Sequence, residues 1–334
     1  MIQIKRYIIL CVLILILAVT QNGLAQGSPF ENGQFWENGD CFLHYRVWSP
    51  SLPKGKVLLI HGLGGSTFSW RYAPSFLVQA GYLVVAVDLP GFGYSERIVG
   101  KLHAPKNRAR LLLEFLSALD RHAVPQSVAN KKWHLVGHSM GGGVVFLMAM
   151  EAPERFYSTV LIDAAWKTPS LRFLKIFTSF PLTQPCWVML IRNVLLSRSR
   201  ITRSLSSAYG RKPTEAEVEG YLLPLRLSGT ARSLLSLTNR ASSLKLSSFR
   251  RKPHPPFLLI WGEKDRFVSM KQAKRFQQFF PETPLHIIQG AAHCPMETHP
   301  EEVYPLMARF FTAQGTRDSR EAFELRLEPS KLVP

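Results

Sequence analysis

The sequence predicts an α/β fold in which helices flank a mostly parallel sheet. Apolar runs of strand length, such as residues 56–60 and 256–261, alternate with helix-like runs such as residues 144–150. The strand-like runs are apolar without interruption, which is typical of strands buried on both faces of a parallel sheet. The length of 334 residues suits one large α/β domain with an insertion.

The first part of the sheet carries a hairpin signal. The pair Asn38-Gly39 separates two strand-like runs, residues 34–36 and 41–48. An Asn-Gly pair favours a two-residue turn because both residues tolerate a positive φ. We therefore expect the sheet to begin antiparallel and to continue parallel.

The third predicted strand, residues 56–60, ends in a glycine-rich turn over residues 61–65. Backbone N–H groups in such a turn are free to point at a ligand, so the turn is a candidate half of an oxyanion hole. His61 begins the turn, and we interpret it as a hydrogen-bonding organiser of that loop. Asp88 follows the fourth predicted strand and is expected to tie down its own loop.

The most informative segment is the pattern Gly-x-Ser-x-Gly over residues 137–141, which lies between a strand-like and a helix-like run. Such a turn lifts one serine hydroxyl out of the backbone at the end of a sheet. Gly137 and Gly141 are needed because a Cβ on either side would clash in so tight a bend. Ser139 is therefore the candidate nucleophile, and His138 is expected to pack beneath the turn.

A candidate acid and a candidate base follow Ser139 in the chain. Asp265 comes just after the strand-like residues 256–261, and His293 follows the strand-like residues 285–288. The order nucleophile, acid, base, each beyond a strand, is the order that this chemistry uses on an α/β sheet.

Other residues remain alternatives for these roles. Asp163 also follows a buried strand-like run and is an alternative acid, while Glu263 is the nearest substitute for Asp265. Three further histidines lie inside strand-like runs and are expected to be structural: His44, His134 and His286.

The three side chains fit one reaction. A serine hydroxyl is a poor nucleophile at neutral pH, so it needs an imidazole that takes its proton during attack. A neighbouring carboxylate holds the imidazole in the right tautomer and stabilises its transient charge. Two backbone donors for the developing oxyanion can contribute about 3 to 4 kcal/mol each.

These motifs make the chain similar to the α/β-hydrolase superfamily, in particular its lid-bearing serine hydrolases and esterases. The similarity runs from about residue 33 to residue 312 and includes the turns at residues 61–65, 88–95 and 137–141. It implies an eight-stranded, mostly parallel sheet with a helical lid inserted after the sixth strand. Together with the composition of the two termini, the expected divisions are residues 1–25 (export signal or uncleaved anchor), 33–166 with 253–316 (core), 167–252 (lid) and 317–334 (tail).

The resemblance also assigns roles. It implies that Ser139 is the nucleophile, His293 the general base and Asp265 the acid, and that the N–H groups of Leu63 and Met140 donate to the oxyanion. Gly62 belongs to the same oxyanion turn.

The expected activity is hydrolysis of a small-molecule carboxylic ester through an acyl-enzyme. A carbon–carbon bond hydrolase or a perhydrolase-type haloperoxidase would use the same side chains, and a catalytically silent binding protein of this fold is the non-enzymatic alternative. No cofactor or metal is expected, because serine performs the covalent chemistry and no His/Cys/Asp cluster has ligand spacing in the sequence.

The N-terminus predicts export. Lys5 and Arg6 precede the uncharged residues 7–19, and small residues at 23–25 offer a cleavage site. The protein is therefore expected in the periplasm or outside the cell. Residues 7–19 are short for a membrane span, although neighbouring apolar residues leave an uncleaved anchor open.

The predicted lid carries most of the net charge. Residues 167–252 contain 16 Lys and Arg against 3 Asp and Glu, a net of 16 − 3 = +13, within a whole-chain charge of +18. Such a surface attracts anionic ligands or acidic membrane surfaces, although it also fits a face that only keeps the protein soluble. The basic residues are scattered among leucines and serines and do not form a recognisable nucleic-acid-binding motif, so nucleic-acid binding is not expected.

Overall fold

The computed structural model describes residues 28–39, 41–166, 181–240 and 242–315. The predicted export signal, the C-terminal tail and residues 167–180 of the predicted lid lie outside the described residues. The strands are β1 Gly33–Asn38, β2 Cys41–Trp48, β3 Gly55–Ile60, β4 Tyr82–Val87, β5 Trp133–His138, β6 Phe156–Ile162, β7 Phe257–Gly262 and β8 Leu285–Ile288. The described α-helices are α1 Ala73–Leu77, α2 Pro105–His122, α3 Gln126–Ala129, α4 Met140–Glu151, α5 Gln184–Leu190, α6 Arg198–Tyr209, α7 Glu215–Leu225, α8 Thr230–Arg240, α9 Lys271–Gln277, α10 Pro295–Thr298 and α11 Pro300–Gly315.

The sheet confirms the predicted fold class. Its eight strands have the order β1-β2-β4-β3-β5-β6-β7-β8. β1 and β2 form the predicted antiparallel hairpin. Asn38 does not belong to the turn, however, because it ends β1 and pairs with Cys41, and the positive φ falls on Gly39. β2 pairs antiparallel with β4, and every later pairing is parallel. The register aligns Ile60 with Gly137 and Ile162 with Ile260. The carboxyl ends of β3, β5, β6 and β7 therefore meet at one edge, where open α/β sheets bind ligands.

The apolar strands explain why helices cover both faces. All residues of β3, β5 and β7 are buried. Successive side chains of a strand point to opposite faces, and accordingly Leu58 and Ile60 join one buried cluster whereas Val57 and Leu59 join the other.

The segment between β6 and β7, residues 167–252, is hereafter the helical insertion. Its described residues form α5 to α8, a π-helical stretch Ile191–Leu195 that continues α5, and short 3₁₀ turns. Five of its side chains form a small core of their own: Ile191, Leu196, Leu225, Ala231 and Leu235. Among the described residues, no helix is both long and apolar enough to cross a membrane.

Candidate active site

The turn between β5 and α4 holds Ser139 in a strained conformation. Its φ of 51° is positive, which is uncommon for a residue other than glycine. A Cβ added to Gly137 would lie 2.5 Å from the carbonyl oxygen of Gly141, and one added to Gly141 would lie 2.5 Å from the carbonyl oxygens of Ile60 and His61. Both glycines are therefore required by close contacts, as the sequence predicted.

The structure brings Ser139, His293 and Asp265 into one hydrogen-bonded chain. Nε2 of His293 lies 3.0 Å from Oγ of Ser139, and Nδ1 of His293 lies 2.8 Å from Oδ2 of Asp265. The other carboxylate oxygen of Asp265 accepts from the N–H groups of Phe267 (2.7 Å) and Val268 (3.0 Å). These two donors fix the carboxylate, so His293 is held in the tautomer that can accept a proton at Nε2.

The environment keeps Asp265 ionised. Burial raises the pKa of Asp265. The hydrogen bond and the charge of His293, together with hydrogen bonds from Asp163 and from the N–H of Val268, lower it, and the resulting pKa of Asp265 lies below its usual value. An ionised Asp265 can therefore stabilise a positive charge on His293.

Asp163, the alternative acid, lies next to Asp265, but its pKa is shifted in the opposite direction. It is fully buried, its φ of 43° is positive, and its Oδ1 accepts from the N–H of Gly262 at 3.0 Å. Burial, and then the neighbouring Asp265 carboxylate, raise the pKa of Asp163 well above its usual value, which favours the protonated, neutral form. In the structure, the carboxylate that contacts the His293 ring is that of Asp265.

The glycine-rich turn after β3 lies against the nucleophile turn. A Cβ added to Gly62 would lie 3.0 Å from Cβ of Ser139. Met140 is the first residue of α4, so its N–H is one of the helix N-terminal donors that have no acceptor within the helix. Leu63 follows Gly62 in the same turn, and Leu63 is 63% exposed to solvent. Both predicted oxyanion donors thus belong to backbone adjacent to Ser139.

His61 organises this turn through hydrogen bonds from both ring nitrogens. Its Nδ1–H donates to the carbonyl oxygen of Gly62 (2.7 Å), and its Nε2 accepts from the N–H of Leu89 (2.9 Å). Burial lowers the pKa of His61, which keeps the ring neutral. Both nitrogens are engaged, so His61 has the organising contacts that the sequence predicted.

Asp88 ties together more than its own loop. Its carboxylate accepts from the N–H groups of Thr67 (2.6 Å) and Tyr94 (2.8 Å) and pairs with Nδ1 of His44 at 2.8 Å. Asp88 therefore links β2, the segment that follows the oxyanion turn and its own loop.

His138 contacts the backbone of His293 rather than only filling space beneath the turn. Its Nε2 lies 2.7 Å from the carbonyl oxygen of His293, and burial lowers the pKa of His138 to about 3. A neutral His138 donates this bond and fixes the backbone that carries the candidate base. No pattern in the sequence indicates this contact, because the two histidines are 155 positions apart.

The remaining polar residues considered in the sequence take structural positions. Oε2 of Glu263 accepts from the N–H of Gly290 at 2.9 Å. His134 bonds to Oγ of Ser158 at 2.8 Å within the sheet. His286 lies 3.2 Å from a carboxylate oxygen of Glu302.

Arg108 was not singled out in the sequence, yet its guanidinium is buried beside the nucleophile turn. It lies 3.2 Å from Sδ of Met140 and donates to the carbonyl oxygen of Pro90 at 3.1 Å. None of the ion pairs among the described residues includes Arg108, and burial lowers its pKa to about 9. It therefore places a positive charge next to the residue that follows Ser139.

One group among the described residues has the spacing of a metal site. Single ligand atoms of Asp163, Asp265 and His293 lie within 4.8 Å of one another. Metal ligands must be deprotonated, whereas burial raises the pKa of Asp163 and favours its protonated form, and His293 already bonds to Asp265 and Ser139. The arrangement fits proton transfer from a serine better than a metal centre.

The parallel sheet, the nucleophile turn and the hydrogen-bonded Ser, His and Asp side chains define the class of α/β hydrolases. A family model described as alpha/beta hydrolase fold matches residues 56–300, so the chain belongs to that family and is a hydrolase.

Two relatives and one solved structure illustrate this membership. The uncharacterised hydrolase YugF of Bacillus subtilis is 29% identical over 76% of this chain and 89% of its own length. The proposed carbamate hydrolase RutD of Variovorax paradoxus is 35% identical over 75% of this chain and 89% of its own length. The crystal structure of a serine hydrolase involved in carbazole degradation superposes with a TM-score of 0.66 at 20% identity, covering 84% of this chain and 98% of the other.

Proposed function

We propose that this protein is a serine hydrolase that cleaves a carboxylic ester through an acyl-enzyme. The observation that carries the proposal is the continuous hydrogen-bond chain from Oγ of Ser139 through His293 to Asp265. A serine aligned in this way loses its proton as it attacks a carbonyl carbon, which is the activation that a free hydroxyl lacks.

The proposed reaction has two halves. Oγ of Ser139 bonds to the ester carbonyl carbon while Nε2 of His293 takes the hydroxyl proton. The oxyanion accepts hydrogen bonds from the N–H groups of Leu63 and Met140. The bond to the alcohol oxygen then breaks, and His293 returns the proton to that oxygen. Water repeats the sequence on the acyl-enzyme and releases the acid and Ser139.

Apolar side chains at the site favour a substrate with an apolar part. The ring of Phe267 lies 5.1 Å from that of His293, and Phe267 is 53% exposed. Leu63 is exposed next to the oxyanion turn. Exposed apolar side chains beside candidate reacting groups are typical of substrate-binding surfaces. We propose that the helical insertion forms the rest of this pocket as a lid.

Hydrolysis of p-nitrophenyl esters is the test of the proposed function. The purified protein should hydrolyse a graded series of acyl chain lengths with a maximum at one length, because the apolar rim stabilises an acyl chain of matching size. A p-nitrophenyl carbamate in the same series tests the chemistry that RutD's name indicates for that relative. Ser139→Ala protein supplies the blank for non-enzymatic hydrolysis. Carbamate turnover without ester turnover, or no turnover above the blank, would contradict the ester proposal.

We also propose that the protein is exported, or is held at the membrane through residues 7–19. The proposal rests on the charged start, the uncharged run and the small residues at 23–25. An exported hydrolase would meet lipid surfaces, which bears on the charge of the helical insertion.

The helical insertion combines its positive charge with an exposed apolar strip. The strip consists of large exposed side chains on and around α5: Leu182, Met189, Leu190, Val194 and Leu195. Ile191 of the same helical stretch is buried in the insertion's own core. Exposed Arg192 lies among the strip residues, and exposed Arg200 and Arg203 follow in α6. An apolar face with adjacent basic residues fits the interface of an anionic bilayer, so we propose that the insertion binds anionic lipid surfaces.

Vesicle sedimentation tests the membrane proposal. Binding should increase with the anionic-lipid fraction and weaken with salt, because the Debye length falls to about 8 Å at physiological ionic strength. The triple variant Arg192→Gln, Arg200→Gln, Arg203→Gln should bind on the order of a hundredfold more weakly at low salt, since each basic residue near the surface contributes about 1 kcal/mol. Its turnover of a small neutral ester should be unchanged.

A matched triple variant controls for net charge alone. Lys271, Lys274 and Arg275 are exposed on α9 of the core, outside the insertion. Replacing these three with glutamine makes the same change in net charge and should leave vesicle binding nearly intact. Equal losses in both triple variants would assign the effect to overall charge, and equal binding to neutral and anionic vesicles would refute the proposal.

A further inference from the structure

The carboxylate of Glu297 is the centre of a buried hydrogen-bond network between the core and the helical insertion. Glu297 lies in α10, four residues after His293, and is only 2% exposed. Its Oε1 accepts from the hydroxyl of Tyr221 (2.5 Å), and its Oε2 accepts from the hydroxyl of Tyr209 (2.7 Å) and pairs with Arg71. Both tyrosines belong to the insertion, so a core carboxylate takes two of its partners from outside the core.

The hydroxyl of Tyr221 also reaches the other loop of the site. It lies 3.0 Å from Oγ of Ser69, in the 3₁₀ turn Thr67–Trp70 that follows the oxyanion turn. A Cβ added to Gly65 would lie 2.9 Å from the same Oγ, so Ser69 packs directly on the oxyanion turn. One hydroxyl therefore bridges the segment after the oxyanion turn and the segment after His293.

The loop of His293 rests on the insertion through its backbone as well. The N–H of Cys294 donates to the carbonyl oxygen of Ala208 in α6 at 3.2 Å. A Cβ added to Gly210 would lie 3.4 Å from Cβ of Ala292, which is ordinary contact distance. The residues on both sides of His293 thus touch the C-terminal end of α6.

The charges of the network are balanced. Arg71 pairs with Glu297 and, at 3.3 Å, with Glu217 of α7, and Glu217 pairs with Arg211 at 2.7 Å. The hydrogen bond from Arg211 lowers the pKa of Glu217 to about 2. The cluster thus pairs two arginines with two glutamates, and a buried ionic cluster requires such pairing.

Both tyrosines stay protonated and act as donors. Burial, and then the Glu297 carboxylate, raise the pKa of Tyr209 and of Tyr221 above the usual value of 10.0. Replacing either tyrosine with phenylalanine would remove one hydrogen-bond donor to the buried carboxylate while keeping the aromatic ring.

We propose that α6 and α7 form a fixed support for the active site, here called the brace. In this arrangement, Tyr221 and Glu297 are positioning residues that keep the oxyanion turn and His293 in fixed positions relative to each other. The proposal deepens the proposed function and rests on it for its kinetic readout.

Kinetics of Tyr221→Phe test the brace. A displacement of about 1 Å can cost about a hundredfold in rate, and loss of one bridging hydroxyl should displace the two loops by less. We expect kcat on a small p-nitrophenyl ester to fall on the order of tenfold with KM changed less than about twofold. Glu297→Gln should lower kcat further, because the amide cannot balance Arg71. A raised KM at unchanged kcat would mean that Tyr221 contacts substrate, and would overturn the positioning role.

Tyr82→Phe is the matched control. The Tyr82 hydroxyl lies 3.2 Å from Oγ1 of Thr312, and Tyr82 belongs to β4 of the core. Its loss removes one buried tyrosine hydroxyl away from the brace, so it should leave kcat unchanged. If Tyr82→Phe and Tyr221→Phe lower kcat equally, the effect is general destabilisation and the brace is refuted.

Amide hydrogen exchange separates failure of the brace from failure of the proposed function. In Tyr221→Phe, peptides covering residues 62–71 and 290–298 should exchange faster, whereas the same peptides of Tyr82→Phe should match wild type. This result does not depend on any substrate, so a protein without esterase activity still tests the brace. Unchanged exchange in both segments of Tyr221→Phe would overturn the proposal, as would faster exchange with unchanged kcat in an active enzyme.

Discussion

Ser139→Ala is expected to lose labelling by a fluorophosphonate probe and to lower kcat on the best ester by about 10⁶-fold, as removal of the nucleophile does in a comparable triad. The physical reason is the 3.0 Å contact between Nε2 of His293 and Oγ of Ser139, which makes this hydroxyl the group positioned for deprotonation. Gel fluorescence after probe treatment and steady-state kinetics measure the two effects.

Ser158→Ala is a suitable control for loss of a buried serine hydroxyl. Ser158 lies in β6 and bonds to Nδ1 of His134 at 2.8 Å, within the sheet. This variant should keep full labelling, and its kcat should match wild type if it is folded. Labelling that persists in Ser139→Ala would refute the assignment of the nucleophile.

The nucleophile turn could be predicted from sequence because its constraints are local. Gly137 and Gly141 flank Ser139 within five positions, and the clashes that exclude a Cβ involve the turn itself and the strand next to it. The uninterrupted apolar runs likewise predicted strands buried on both faces, and β3, β5 and β7 are fully buried. Local sterics and burial leave a signal in the residue types.

The contacts between distant segments could not be predicted. Tyr209, Tyr221 and Arg71 meet Glu297 across as many as 226 positions, and no periodicity or motif marks them. Asp163 and Asp265 both follow buried strands, so sequence order alone left two candidate acids. Which carboxylate contacts His293 depends on side-chain positions that differ by a few ångströms at the ends of neighbouring strands.

Asp265→Asn should lower kcat by about 10⁴-fold with folding intact, because an amide at this position favours the wrong imidazole tautomer. The reason lies in the 2.8 Å contact between Oδ2 of Asp265 and Nδ1 of His293. Asp163→Asn is the matched variant and should cost activity only modestly. An asparagine is neutral, like the protonated form of Asp163 that the raised pKa favours, and its Oδ1 can still accept from the N–H of Gly262. It also tolerates the positive φ of this position.

The stability of Asp163→Asn gives a second, independent measurement. In wild type, folding keeps a proton on Asp163, whereas the unfolded chain releases it above its usual pKa of 3.8. The unfolded state then binds fewer protons, so this residue makes wild type less stable as pH rises above that value. The amide of the Asp163→Asn variant does not titrate, so the free energy of unfolding of the variant relative to wild type should increase between about pH 4 and pH 8 in urea titrations. A pH-independent difference, together with a kcat loss larger for Asp163→Asn than for Asp265→Asn, would instead make Asp163 the ionised acid and move the acid of the triad to the end of β6.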